Sequence, residues 1–278
     1  MTQTSAISYG QTYKYELSIV SYMDLLGMRD LLQHAGDEPG IIAAVLDRFR
    51  QFSEPDEPSA GTWEWKFVNF SDLVVRSVPV LSESNKKYRL GLVFNELSEL
   101  ARIQASLAAY KVLVRGGVTV GKISIDHGLT FGPALVKGYE LESVRARFSR
   151  IVVDEFLFQE MRENPLLSAH AYEKEIHYIE RIIKRDSDGL IFVDYLQYAL
   201  HNADNNQEYL QFLLDHKKLA EEQFTEAAKL DHSTREYRSR LEKAQWLQRY
   251  HNSHVDTLED GMFPIGFSRP EARCMSTL

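Results

Sequence analysis

The chain has 278 residues and a mass of 32.0 kDa, which suits one large domain or one domain with an appendage. Hydrophobic residues make up 44% and charged residues 26%, which excludes wholesale disorder, collagen-like sequence and low complexity, while a net charge of −8 makes a poor surface for gripping duplex DNA. The one cysteine, Cys274, excludes a disulfide framework or a multi-cysteine zinc site, and the lack of an apolar leader or a membrane-length apolar run reads as a soluble, cytoplasmic protein with no nucleic-acid and no membrane partner.

The apolar run LSIVSYM at 17–23 predicts a buried strand that ends at Asp24, followed by Leu25, Leu26 and Gly27. Residues 28–52 predict helix with a break over Gly36–Gly40, and Ser53–Gly61 has the composition of a loop. Trp63, Trp65 and Phe67 alternate before Leu73, Val74 and Val75, which predicts two strands around a tight turn at Asn69–Asp72. Residues 88–110 predict a helix with Leu90, Val93, Leu97, Leu100, Ile103 and Leu107 on one stripe. The glycine-punctuated stretch 112–125 predicts a strand or hairpin pair, and His127–Gly132 a short loop. Pro133 suits the first turn of a helix over 133–145. A strand over 150–154, a helix starting at Glu155 and a strand–turn–strand over 180–196 around Asp186–Gly189 follow. This order predicts an α+β fold of the elaborated ferredoxin-like type over residues 1–202. Residues 203–278 form a helical C-terminal extension and tail, with Asp231–Ser233 separating two charged helices.

Two aspartates stand out by context. Asp24 closes an apolar strand, and Asp72 sits in the predicted turn of NFSDLVV. If the strands are neighbours, both carboxylates emerge at one edge of the sheet, and a hard cation relieves their repulsion. The same positions also suit a helix N-cap and a turn former.

YMDLLGM (22–28), NFSDLVV (69–75), VRGGVTVGKI (114–123), FGPALVKGYELES (131–143) and RIVVD (150–154) follow one another in order. Together they resemble the class III nucleotidyl cyclases, and more closely the pyrimidine cyclases of the bacterial Pycsar anti-phage systems, over roughly residues 17–196. The resemblance implies a uridylate cyclase that converts UTP to 3′,5′-cyclic UMP and pyrophosphate, with CTP to cyclic CMP as the near alternative. It implies two Mg²⁺ or Mn²⁺ ions held by Asp24, Asp72 and the backbone carbonyl of Leu25, with in-line attack of the ribose 3′-oxygen on the α-phosphorus. Backbone N–H groups of Leu26, Gly27 and Met28 are then expected on phosphate oxygens. Arg115 is the first choice for the cation that stabilises the transferring phosphoryl group, although a strand-surface salt bridge is the ordinary use of such a residue. Lys184 corresponds to a triphosphate lysine, with Arg185 competing for the role, and Lys122, Lys137 and Arg145 are further cations nearby. The resemblance also implies a homodimer with shared active sites, and a cyclic product that acts on a separate effector.

The departures carry information. In purine cyclases a Lys stands where this chain has Val68, a base-reading Asp where it has Leu129 beside Thr130, and a transition-state Asn and Arg where it has Val136 and Glu140. These changes fit a cyclase for another base, or a cyclase homology domain without turnover. Tyr139 and Trp65 are candidates to touch a base, or core residues. Gly116-Gly117 and Gly121 do not have P-loop spacing. His251-x-x-His254, lacking a third ligand, reads as a pair of surface histidines.

Overall fold

The computed structural model describes residues 12–53, 64–263 and 268–275. The chain is α+β, with one mixed sheet in the order β2-β3-β1-β4-β6-β8-β7. β1 (Glu16–Leu25) sits inside the sheet, antiparallel to both β3 (Leu73–Pro79) and β4 (Val114–Asp126). β2 (Lys66–Phe70) forms a hairpin with β3 through the tight turn at Ser71-Asp72, as the sequence predicts; Trp63 and most of the predicted loop lie outside the described residues. The first four strands, linked by helices after β1 and after β3, have the order of a split βαβ unit.

Both faces of this sheet are covered, which explains why β1 is apolar at consecutive positions rather than alternate ones. Ile19, Met23 and Leu25 point into the main core beneath α4 (Leu92–Ala109), whereas Val20 packs with Val75, Ile123 and Ala134 on the other face. The helical segment after β1 splits where predicted, into α1 (Met28–Ala35) and α2 (Pro39–Ser53), with Gly36 at positive φ between them. A short helix α3 (Glu83–Tyr88), capped by Ser82, precedes α4, so the predicted 88–110 helix starts late, after Gly91 in the left-handed region.

β4 is one long strand, not a hairpin. Its glycines mark close approaches instead of turns: a Cβ on Gly116 would strike the Tyr22 carbonyl, and one on Gly117 would overlap the Leu141 side chain. The chain reverses only at His127-Gly128, both at positive φ, and returns as β5 (Leu129–Phe131) through part of the predicted loop. α5 (Pro133–Glu140) then lies across β4 and passes into a π-turn over Leu141–Ala146. β6 (Ile151–Val153) runs parallel to β4, and α6 (Glu155–Glu163) follows, with Asp154 as its N-cap. α7 (Tyr172–Ile179) fills a stretch for which the local pattern predicts no element. The predicted hairpin near Asp186 is β7 (Ile183–Arg185) with β8 (Ile191–Val193), and α8 (Tyr195–Asn202) starts at once from the Asp194 cap.

The extension holds α9 (Asn206–Ala228) and α10 (Arg235–Val255), separated around residues 231–233 as predicted, and a short α11 (Arg269–Ala272). These helices are not simply a solvated face. Leu219, Ala220, Trp246, Leu247 and Tyr250 join the same core as α4 and the sheet. His251 and His254 are a correction to the sequence reading: both are buried, at 0% and 1% exposure. His251 Nε2 donates to the Ala272 carbonyl at 2.8 Å, which leaves its Nδ1 to accept from His216 Nδ1 at 3.0 Å. His216 Nε2 in turn accepts from the Tyr195 hydroxyl at 2.7 Å, so the chain of donors runs one way and every member is satisfied. Among the described residues no helix is long and apolar enough to cross a membrane.

Candidate active site

Asp24 is the penultimate residue of β1. Its direct neighbours are Leu73 on β3 and Arg115 on β4. The Leu25 N–H donates to the Asp72 carbonyl at 3.0 Å, which ties the β2–β3 turn to the end of β1. The two carboxylates therefore share one sheet edge, as the sequence reading requires. They feel each other: burial raises the Asp24 pKa above its ordinary value, and Asp72 adds to the rise against the opposing pull of Arg115. The donor set is all oxygen and negatively charged, which fits Mg²⁺ or Mn²⁺. Among the described residues no three His, Cys, Asp or Glu side chains form a ready cage, so such an ion would draw further ligands from backbone, water or substrate.

Arg115 lies across the site. Its Nη2 and Nε stand 3.1 and 3.2 Å from Asp24 Oδ2, and its Nε also pairs with Glu142. Glu142 is the residue that sequence reasoning missed. It sits within the quoted YELES run, but an α-helical continuation through 145 gives no reason to aim it inward. The π-turn does that: the wider helical register turns Glu142 into the protein, where its side chain is 4% exposed. Burial and the Asp24 charge raise its pKa to about 7, against the opposing pull of Arg115. Tyr22 borders the same group. Burial, Glu142 and Asp24 push its hydroxyl up to about 12, and its ring meets Tyr139 edge-on at 5.9 Å.

The other expected residues divide. Gly27 has φ 87 at the start of α1, a conformation that favours glycine, and Met28 is the first helical residue. The Leu26 N–H is engaged instead: it donates to the Leu113 carbonyl at 2.8 Å, continuing the β1–β4 ladder past the strand end. Of the expected phosphate donors, Leu26 is therefore withdrawn as the chain stands. Lys184 is not brought to this site. It lies on β7, at the far edge of the sheet, with Nζ 2.9 Å from Ser253 Oγ and 5.9 Å from the Tyr250 ring centroid. Arg185 is held by Glu155 and the Gly189 carbonyl. Lys137 pairs with Glu140 at 3.7 Å on exposed α5, and Lys122 is exposed on β4. Val136 and Leu129 are exposed, while Val68 packs beside Val20 and Val75. Trp65 lies beside the Arg76 guanidinium, 5.7 Å from it, away from Asp24. The Cys274 thiol is buried, which pushes its pKa up to about 12 and makes it a poor nucleophile.

A cavity of about 700 Å³ opens beside the same sheet end, between α1 and the α9–α10 pair. Its floor is apolar, with Leu25, Leu31, Val112 and Leu247. Two of its cations are balanced locally, Lys111 by Glu222 and Arg240 by Glu236, so charge does not mark it as an anion site. No family model matches the chain and no curated protein matches it, and the reading of the site therefore rests on Asp24, Asp72, Arg115, Glu142 and the sheet edge that gathers them.

Proposed function

We propose that this chain is a class III-type pyrimidine nucleotidyl cyclase, converting UTP to 3′,5′-cyclic UMP and pyrophosphate, with CTP to cyclic CMP as the alternative. The observation that carries the reading is the convergence of Asp24 and Asp72 at one sheet edge with Arg115 across them. The split βαβ strand order supports the fold it requires.

Asp24, Asp72 and the Leu25 carbonyl would hold Mg²⁺ or Mn²⁺, which when bound supplies charge neutralisation on the triphosphate and acidifies the ribose 3′-OH. The 3′-oxygen attacks the α-phosphorus, the bond to the bridging oxygen of the β-phosphate breaks, and pyrophosphate leaves. Arg115 lowers the cost of negative charge on the transferring group through its donor fork. The Gly27 and Met28 N–H groups at the start of α1 orient phosphate oxygens. A second copy of the chain covers the apolar side chains exposed along α5 and its π-turn, Val136, Tyr139 and Val144. The cyclic product acts on a separate effector in anti-phage defence.

One observation favours a second reading, a nucleotide-binding homology domain without turnover: Val136 and Glu140 occupy the α5 positions where the resemblance expects Asn and Arg. Incubation of the protein with Mn²⁺ and each nucleoside triphosphate separately, with products identified by mass spectrometry, decides between them. Cyclic UMP or cyclic CMP from one substrate is the expected result. Cyclic AMP or GMP overturns the base assignment, and no product with any substrate in Mn²⁺ or Mg²⁺ favours the binding module.

A further inference from the structure

An arginine placed directly opposite a metal-binding aspartate on the next strand poses a problem. The guanidinium donates to Asp24 Oδ2 through both Nε and Nη2 and competes with any cation for that oxygen. The structure contains a counterweight. Arg115 Nε contacts Glu142 as well as Asp24, and Glu142 is more deeply buried, with 4% side-chain exposure against 22% for Asp24. The Arg115 charge pulls Glu142 toward its carboxylate form against burial, and removing one partner of such a buried pair strands the other. The π-turn that carries Glu142 is itself fixed from both ends. Gly117 lets Leu141 press on β4, and the buried Arg150 accepts no slack beyond it, donating to the Ala146 carbonyl at 3.0 Å. Asp24 and Glu142 engage Arg115 through Nε and Nη2, which leaves Nη1 as the donor not used by either carboxylate.

We propose that Glu142 is the positioning residue for Arg115: it anchors the guanidinium from the protein side, so that Asp24 can turn to a divalent cation while Arg115 stays aimed at the transferring phosphoryl group. This inference rests on the cyclase reading for the cation and the phosphoryl group, but the anchoring of Arg115 is a property of the free protein. Glu142 does not ligate the ion and does not touch substrate; its effect passes through Arg115.

The test is a cycle of variants in the full chain, read by calorimetric titration of Mn²⁺ without nucleotide. Glu142→Gln is expected to weaken Mn²⁺ binding roughly tenfold, because Arg115 then settles on Asp24. In an Arg115→Gln background the same change is expected to leave Mn²⁺ affinity within about twofold. Equal weakening in both backgrounds means that Glu142 acts on the ion directly and overturns the proposal, as does no weakening in either. The second readout needs no metal: the Arg115 Nε–H resonance in a ¹⁵N-labelled protein. It is expected to exchange slowly with water in Asp24→Asn, where Glu142 alone faces the Nε–H, and to broaden or vanish when Glu142→Gln is added; an unchanged signal in that double variant overturns the anchoring. Asp24→Asn separates the two levels of argument. If it binds Mn²⁺ like the parent, the cation reading of the site fails, and the Nε–H resonance still decides whether Glu142 holds Arg115.

Discussion

Arg115 and Asp24 face each other across the β1–β4 ladder, with Arg115 Nη2 3.1 Å from Asp24 Oδ2. The side chains are 25% and 22% exposed, so the pair contributes about 1 kcal/mol or less to folding. Asp24→Asn and Asp72→Asn therefore separate chemistry from stability. Each is expected to lower cyclic nucleotide formation by roughly 10³ while the melting temperature moves little, because Arg115 keeps Glu142 as a partner. Parallel melting curves and product quantification check this, and a loss of activity matched by unfolding would sink it.

Gly117 offers a way to disturb the site without touching a charged group. A Cβ there overlaps Leu141, so Gly117→Ala pushes the π-turn, and Glu142 with it, off β4. The expected cost is about 1–3 kcal/mol of stability, with reduced turnover as the second effect. Gly27→Ala makes the contrast. A Cβ there meets nothing within 4 Å, and the cost comes from the positive φ alone, about 1–2 kcal/mol. Chemical denaturation of both variants alongside turnover distinguishes packing from backbone strain.

Arg76 and Glu96 form a buried pair in the main core, bonded through Nε–Oε1 and Nη2–Oε2, each at 3.1 Å. Ser21 adds a hydrogen bond to Glu96 at 2.8 Å. Removing one partner strands the other, so Glu96→Ala is expected to cost about 3–5 kcal/mol. The double change Arg76→Met with Glu96→Leu is expected to recover most of that loss. Urea midpoints of the three proteins give the answer, and a double variant no better than Glu96→Ala would show that the pair is needed for the fold's specificity.

His251 and His254 are held at pKa values of about 4 by burial, and His216 well below its ordinary value for the same reason. Their unfolded values lie near 6.5, so the unfolded chain takes up more protons as pH falls from about 6.5 to about 4. Stability is thus full above pH 6.5 and declines through that window, by at most about 3 kcal/mol for each of His251 and His254. Denaturation midpoints at pH 7, 6 and 5 are expected to fall, and His254→Gln is expected to flatten the decline. A flat profile in the parent chain contradicts the buried, neutral state.

Local pattern carried much of this fold. The β1 run, the Ser71-Asp72 turn, the α4 stripe and the break between α1 and α2 follow from periodicity and turn chemistry, and Asp24 and Asp72 were legible because each closes or reverses an apolar strand. What escaped depends on contacts remote in sequence. The glycines of β4 left a single strand and a hairpin pair both open, and the close approaches of Tyr22 and Leu141 account for them in the single strand. His251 and His254 sit on a polar helix that reads as exposed until β8, α8 and α9 cover it. Glu142 needed a change of helical register, which no spacing rule announces. Lys184 followed the resemblance in sequence, but its strand pairs outward and its amine meets Ser253.

Arg150 is fully buried, and Asp186 and Asp188 from the β7–β8 turn both pair with it. Asp186 also takes the indole N–H of Trp246 on α10 at 2.6 Å, and that indole stacks on Phe148 with the ring planes 7° apart. One knot thus joins the end of the π-turn, the outer hairpin and the C-terminal helices. A cut near residue 203 would strip the indole from Asp186 and Phe148 and leave a wet, loosened floor beneath Glu142. The charged helices are in this sense the keel of the sheet half, bolted to it through Trp246, and not a detachable cassette.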